Sequence, residues 1–323
     1  MLAKKIKLGL GSALLAAIVA SNMAYAQEKF VAITAIVEHP ALDSVRDGVI
    51  EALEKNGYVK GKNLALQYQS AQGNTGTAAQ IARQFIGDKP DAIVAIATPS
   101  AQSVVAATKQ IPVVYSAVTD PVAAQLVSTV EAAGGNVTGV SDVLELEKQV
   151  DLIKRAVPNA KKVGMVYNPG EANSAVVVKR LQELLPNEGM ELIEASAPRS
   201  VDVGSAARSL IGKVDVIYTN TDNNVVSAYE ALVKVGNEAD IPLIASDTDS
   251  VKRGAIAALG INYKDLGLQT GEIVVRILNG EDPGTIPSQT SSKLELYVNP
   301  AAAKSQGVEL SEELLKSAAV IVE

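Results

Sequence analysis

The segment Asp91-Ala-Ile-Val-Ala-Ile-Ala-Thr98-Pro-Ser100, a short helical stretch, and then Ile111-Pro112-Val-Val-Tyr-Ser116-Ala-Val118-Thr-Asp120 form a two-step phrase that the chain repeats. The second copy reads Asp215-Val-Ile-Tyr-Thr-Asn220-Thr-Asp222-Asn-Asn224, a longer helical stretch, and Ile241-Pro242-Leu-Ile-Ala-Ser246-Asp247-Thr-Asp249. Each half is an apolar strand ending in a small polar cluster. That pattern belongs to a buried parallel strand whose carboxyl end opens onto a ligand crevice. Where the first copy has Thr98 and Ala117, the second has Asp222 and Asp247. One lobe thus offers hydroxyls and helix N-termini, and the other offers carboxylates. Two such lobes predict a cleft for a ligand with one anionic and one cationic end.

Outward from the repeat, strand-like and helix-like segments alternate from Phe30 to the end, the mark of an α/β fold with parallel sheets. Periodicity predicts a strand over 30–37 and a helix over 41–56 whose apolar face is Leu42, Val45, Val49 and Leu53. It also predicts a helix over 122–132. A second series begins near Leu144, with a late strand over 293–298 and one terminal helix from Ala301 onward. No low-complexity linker divides the two series. Two lobes joined by several chain crossings, able to close about a hinge, are expected.

The first 26 residues read as an export leader. Lys4, Lys5 and Lys7 precede an apolar run over 8–20, and Ala24-Tyr25-Ala26 fits a small-x-small cleavage site. The run is short for a membrane span. No cysteine stands at the cleavage point, so a soluble periplasmic protein without a lipid anchor is expected. The chain contains no cysteine at all, which excludes disulfides, thiol catalysis and thiolate metal sites. Its net charge is −7, and loss of the leader's lysines makes it more negative, which disfavours nucleic acid and anionic lipid as partners. Hydrophobic residues make up 47% of the chain but aromatics only 3%, so the cores must be built from Val, Ile, Leu and Ala.

Further motifs carry a family resemblance. They are Glu38-His39-Pro40-Ala41-Leu42-Asp43, Ala97-Thr98-Pro99-Ser100-Ala101-Gln102 and Ser116-Ala117-Val118-Thr119-Asp120-Pro121, together with Gly135-Asn136-Val137-Thr138-Gly139-Val140-Ser141 and Tyr167-Asn168-Pro169-Gly170-Glu171-Ala172-Asn173-Ser174. In these the chain resembles ABC-transporter substrate-binding proteins of the TrpX-like family, which have the type I periplasmic-binding-protein fold. The resemblance implies an aromatic amino acid as ligand and an ABC-transporter permease as partner. It also implies a discontinuous division of the chain. Lobe 1 would take 27–143 plus 262–283, and lobe 2 would take 144–261 plus 284–323.

Site residues follow from strand ends. Thr98-Pro99-Ser100 opens a helix, where the Ser100 hydroxyl and free N–H groups suit a ligand carboxylate. Ser116 and Val118 end the next strand of that lobe. In the other lobe Asp247 is the expected ammonium partner, because a buried unpaired charge is costly. Asn220 and Asp222 are second choices, and Asn168 and Glu171 lie on the loop after that lobe's first strand. The single histidine, His39, follows the first strand at the crevice rim and is too alone for a metal site. No Gly-x-Ser-x-Gly elbow, P-loop or His-Glu-x-x-His occurs in the mature chain. The expectation is therefore a monomeric, non-enzymatic receptor for a small amino acid-like solute, without cofactor or metal. A sugar receptor and a sensor module are the rivals.

Overall fold

The computed structural model describes residues 28–291 and 293–323, so the leader read over 1–26 lies outside the described residues. The first lobe runs β1 (Lys29–Ala35), α1 (Pro40–Lys55), β2 (Leu64–Ser70), α2 (Thr75–Asp88), β3 (Ala92–Ile96), α3 (Thr98–Ala107), β4 (Val113–Val118) and β5 (Val137–Ser141). The second runs α4 (Leu146–Ala156), β6 (Lys162–Tyr167), α5 (Ala172–Leu184), β7 (Glu191–Ser196), α6 (Val203–Ser209) and β8 (Val216–Thr219), then α7 (Asn223–Ser227), α8 (Tyr229–Ala239), β9 (Leu243–Asp247), α9 (Thr248–Lys252) and β10 (Ala257–Ile261). The chain then returns through α10 (Tyr263–Leu278) and β11 (Gln289–Thr290), and ends with β12 (Leu294–Val298), α11 (Pro300–Ser305), α12 (Glu312–Ser317) and β13 (Val320–Ile321). Among the described residues no helix is long and apolar enough to cross a membrane.

Two sheets result, in the orders β2-β1-β3-β4-β5-β11 and β7-β6-β8-β9-β10-β12-β13. Their strands pair in parallel except β12, which runs antiparallel to β10. The repeated phrases supply β3–β4 and β8–β9, adjacent in each sheet. Both strands of the first copy are buried along their whole length, as Ala/Val/Ile-rich strands covered by helices on both faces must be. Strand order reverses beside β1 in one sheet and beside β6 in the other. At such switch points the connections leave in opposite directions and open a crevice at the strand carboxyl ends. That places the segments after β1, β3, β6 and β8 around one cleft.

The polypeptide passes between the sheets after Ser141, after Ile261, and between Thr290 and Leu294. Pairing of β11 with β5 keeps residues 289–290 in the first sheet, so the return to the second sheet falls later than the resemblance implied. α10 is fastened to α1 by glycine. A side chain at Gly267 would overlap the backbone of Val45, one at Gly48 would lie 2.5 Å from the Lys264 carbonyl oxygen, and one at Gly271 would lie 2.5 Å from Ala52 Cβ. The two helix backbones touch because neither carries a Cβ there.

Two expected elements differ. No helix forms over 122–132. Asp120 Oδ1 instead accepts from the N–H groups of Val122 and Ala123, and Gln125 takes a left-handed φ of 60°, which stops helical propagation. The single terminal helix is two short ones, because Gly307 at φ 76° ends the first and Ser311 caps the start of the second.

Gly267→Ala is expected to lower stability by about 1–3 kcal/mol, the usual cost of overpacking. Gly87→Ala meets open space late in α2 and should be neutral or stabilising, since alanine favours a helix over glycine. Chemical denaturation of the two variants beside the wild type checks the pair.

Candidate functional site

Between the lobes lie two adjoining chambers that share Thr119, Asp142 and Thr221. The first is polar. Its walls include His39, Thr98 and Ala117 from the first sheet's side, Asn173, Asn223 and Asp247 from the second, and Tyr263 from the chain crossing. The second has apolar sides of Leu144, Leu146, Val176 and Val177. Polar groups from Tyr218, Asn220 and Ser246 border it, and Arg180 lies at its edge.

The two walls of the polar chamber differ in one physical respect. In the second lobe the helices that follow β8 and β9 are capped from within. Asp222 Oδ1 accepts from the N–H groups of Asn224 and Val225 at α7, and Asp247 Oδ1 accepts from Ser250 N–H at α9. In the first lobe α3 starts after Ala97, which has no capping side chain, and Thr98 Oγ1 is buried without a partner in the protein. The partial positive end of that ten-residue helix therefore faces the chamber unneutralised. Ala97 and Ala117, at the ends of β3 and β4, both hold positive φ (72° and 54°), a strained backbone for a residue with a Cβ.

Two carboxylates line the same chamber, Asp247 from the second sheet's side and Asp142 from the end of β5. Asp247 is 2% exposed, and burial pushes its pKa up. Asp142, 4% exposed, accepts from Tyr263 Oη at 2.8 Å and Thr119 Oγ1 at 3.2 Å, and burial raises its pKa too. The Tyr263 hydroxyl lies in the field of both Asp142 and Asp247. Such a group of desolvated carboxylates is suited to a cation with several N–H donors.

Of the residues expected from sequence, His39, Thr98, Asn220 and Asp247 line the chambers. His39 Nδ1 accepts from Leu42 N–H at 3.5 Å as a long N-cap bond, and burial with the nearby Arg253 charge pushes its pKa down to about 3. The others take different roles. Ser100 is fully buried in the first turn of α3 and does not line either chamber. The Ser116 hydroxyl is 2.7 Å from Thr270 Oγ1 and fastens β4 to α10 inside the first lobe. Val118 packs in that lobe's core, because the turn at Ala117 takes its side chain away from the cleft. Asn168 Oδ1 accepts from Gly170 N–H and closes a local turn. Asp222 is a hub within the second lobe, accepting from Asn168 N–H at 2.7 Å and Ser174 Oγ at 2.6 Å besides capping α7. Glu171 stands behind Asn173 and Asn223 and not on the chamber wall.

Asp142, Tyr263, Arg180 and Ser246 were missed as site residues. Asp142 and Tyr263 sit on crossings between sheets, where no strand-end or repeat pattern marks them. Ser246 stood inside the quoted repeat, one residue before Asp247. Among the described residues no group of three or more His, Asp or Glu could hold a metal ion, and Asp249 pairs with Lys252 at 2.9 Å.

Because the chain has one histidine, its imidazole is a single reporter of this geometry. In the closed arrangement a folded-state pKa near 3 means neutrality through pH 5. Proton NMR of the ring in tag-free protein checks this. A midpoint near the ordinary value of about 6.5 would place His39 in solvent.

Comparison with known proteins gives this architecture a family. Residues 30–322 match the model for ABC transporter substrate binding protein, so the chain belongs to that family, with the type I periplasmic-binding-protein fold. It is 43% identical over 279 residues to a tyrosine-binding protein of Clostridioides difficile, covering 86% of this chain and 81% of that one. It superposes on an ABC domain from Streptococcus pneumonia in complex with L-Trp with a TM-score of 0.88 at 31% identity, covering 92% of this chain and 100% of that one. With the ligand-free, open structure of a substrate-binding protein from Clostridium difficile the TM-score is 0.68 despite 42% identity, with coverage of 91% and 99%. The lobes are thus arranged as in the liganded relative. More distant structures share the fold alone, among them an ABC solute binding protein from Bacillus halodurans with bound myo-inositol, at 16% identity and a TM-score of 0.62 over 87% of this chain and 96% of that one.

Proposed function

We propose that this ABC transporter substrate-binding protein captures an aromatic amino acid of the tyrosine class in the interlobe cleft and delivers it to a membrane permease. The observation that carries this reading is the paired chamber. A zwitterionic head group fits the polar chamber, with its carboxylate at Thr98 and the uncapped start of α3 and its ammonium at Asp142 and Asp247. The side chain then occupies the second chamber between Leu144, Leu146, Val176 and Val177, where Asn220 and Ser246 meet a phenol hydroxyl. Asn220 Oδ1 and Ser246 Oγ are both buried without a partner in the protein. The amino acids bound by the relatives from Clostridioides and Streptococcus support the same class.

On this reading His39, Thr98, Asn220 and Asp247 contact ligand, and Asp142 and Tyr263 join them. Ligand touching both lobes favours the closed arrangement by its differential affinity for the two states. The solute is held and released unchanged, so the protein is not an enzyme. It works as a monomer in the periplasm after cleavage before Gln27.

A thermal-shift screen of the common amino acids and sugars is expected to raise the melting temperature with tyrosine, and less with phenylalanine or tryptophan. A response to sugars alone would overturn the reading. Asp247→Asn keeps a competent helix cap for α9 but removes the charge. It is expected to weaken tyrosine binding at least tenfold in calorimetry with little change in the melting of the free protein. Unchanged affinity would remove Asp247 from the ammonium site.

A further inference from the structure

Glu171 has a geometry that neither capping nor ligand contact explains. It occupies the N-cap position of α5 yet makes no capping bond to the N–H groups of that helix. Its side chain reaches instead to the start of α7. Oε2 accepts from the Asn223 side-chain amide at 2.6 Å, from the Asn223 backbone N–H at 3.1 Å, and from the Asn173 side-chain amide at 3.1 Å. Asn173 Nδ2 is also 3.3 Å from the Thr221 carbonyl oxygen. An ionised carboxylate and a carbonyl only accept, so both asparagines must turn their NH2 groups away from the cleft. Their carbonyl oxygens are left toward it. Asn173 Oδ1 is buried with no partner in the protein, and the Asn223 side chain faces His39 of the opposite lobe. Both asparagines line the polar chamber.

We propose that Glu171 is a positioning residue of the binding site: its buried carboxylate draws in the NH2 groups of Asn173 and Asn223, and so presents one amide oxygen to the ligand's ammonium and the other to His39 across the cleft. The proposal rests on the reading given under Proposed function and adds a residue that never touches ligand. The Glu171 charge is buried behind the chamber wall, beside that of Asp222. The groups facing Glu171 are Asp222 from the β8–α7 turn, the two asparagines, and His39 beyond Asn223, with Arg253 and Asp247 farther off. Burial, and then the Asp222 charge, push the Glu171 pKa up to about 7. Since ammonium binding favours the ionised form, this group weakens binding as pH falls through 7. His39, whose burial in the closed form disfavours its protonation, adds its own loss below about 6.5.

The test compares wild type with Glu171→Gln in calorimetric titrations of tyrosine and of 3-(4-hydroxyphenyl)propionate, which lacks the amine, at pH 8 and pH 5.5. Glutamine keeps the shape and one acceptor but removes the charge, and charge-assisted hydrogen bonds are about twice as strong as neutral ones. The variant is expected to bind tyrosine about tenfold more weakly at pH 8. The amine-free analogue should change less than twofold, and the gap between variant and wild type for tyrosine should shrink at pH 5.5. Equal losses for both compounds, a pH-independent gap, or an unaffected variant would overturn the positioning role alone. Failure of the wild type to bind any aromatic amino acid would overturn both this role and the functional reading. If Glu171→Gln loses its circular-dichroism signature, Asn173→Ala tests the same chain of contacts. It should lose tyrosine and retain the analogue, and the reverse outcome overturns the proposal.

Discussion

Parallel strands oblige the helices that follow them to begin at the same end of the sheet, so the helices that follow β1, β3, β6, β8 and β9 begin beside one cleft. Each start carries orphan N–H groups and a partial positive charge that something must satisfy. The second copy of the repeat satisfies its own with Asp222 and Asp247, and Asp247 thereby adds a carboxylate to the chamber wall. The first leaves α3 without a capping side chain and becomes a wall of donors. The difference in polarity between the two copies of the repeat therefore follows from which copy caps its own helices. Ligand recognition and helix termination are one problem here, solved differently by two copies of the same supersecondary unit.

That asymmetry was visible in the sequence because it is written in the repeat. Thr98 against Asp222 and Ala117 against Asp247 fall at equivalent strand ends, and the periodicity of Ala, Val and Ile between them is enough to define parallel strands. Thr98, Asn220 and Asp247 line the cleft for that reason, and His39 does so from the loop after β1. Residues defined by tertiary path were not legible. Asp142 and Tyr263 lie on different sheet crossings, and only the folded path brings the two side chains within 2.8 Å. Ser116 reads like a site residue at its strand end, yet Thr270 on a helix more than a hundred residues later takes its hydroxyl. The failed helix over 122–132 has a local cause, the Asp120 turn, that outweighs an apolar composition.

The second lobe also shows how buried polar groups are arranged in depth. Asp222 and Glu171 are close enough for the charge of one to raise the pKa of the other, and each is surrounded by N–H and O–H donors that make its burial tolerable. Such a network is costly if any member is removed and rigid when all are satisfied. It holds the amides that face the cleft in one orientation before a ligand arrives, so less ordering is required on binding.

The hydrogen bond between Tyr263 and Asp142 ties two of the inter-sheet passages together at the floor of the cleft. A bond at the floor lies near the axis about which the lobes turn, whereas His39 and Asn223 meet across the gap between them. Leverage grows with distance from the pivot. Contacts beside Asp142 join two chain passages between the sheets to each other. Contacts at the His39–Asn223 meeting exist only when the jaws have met, and so set how long they stay shut.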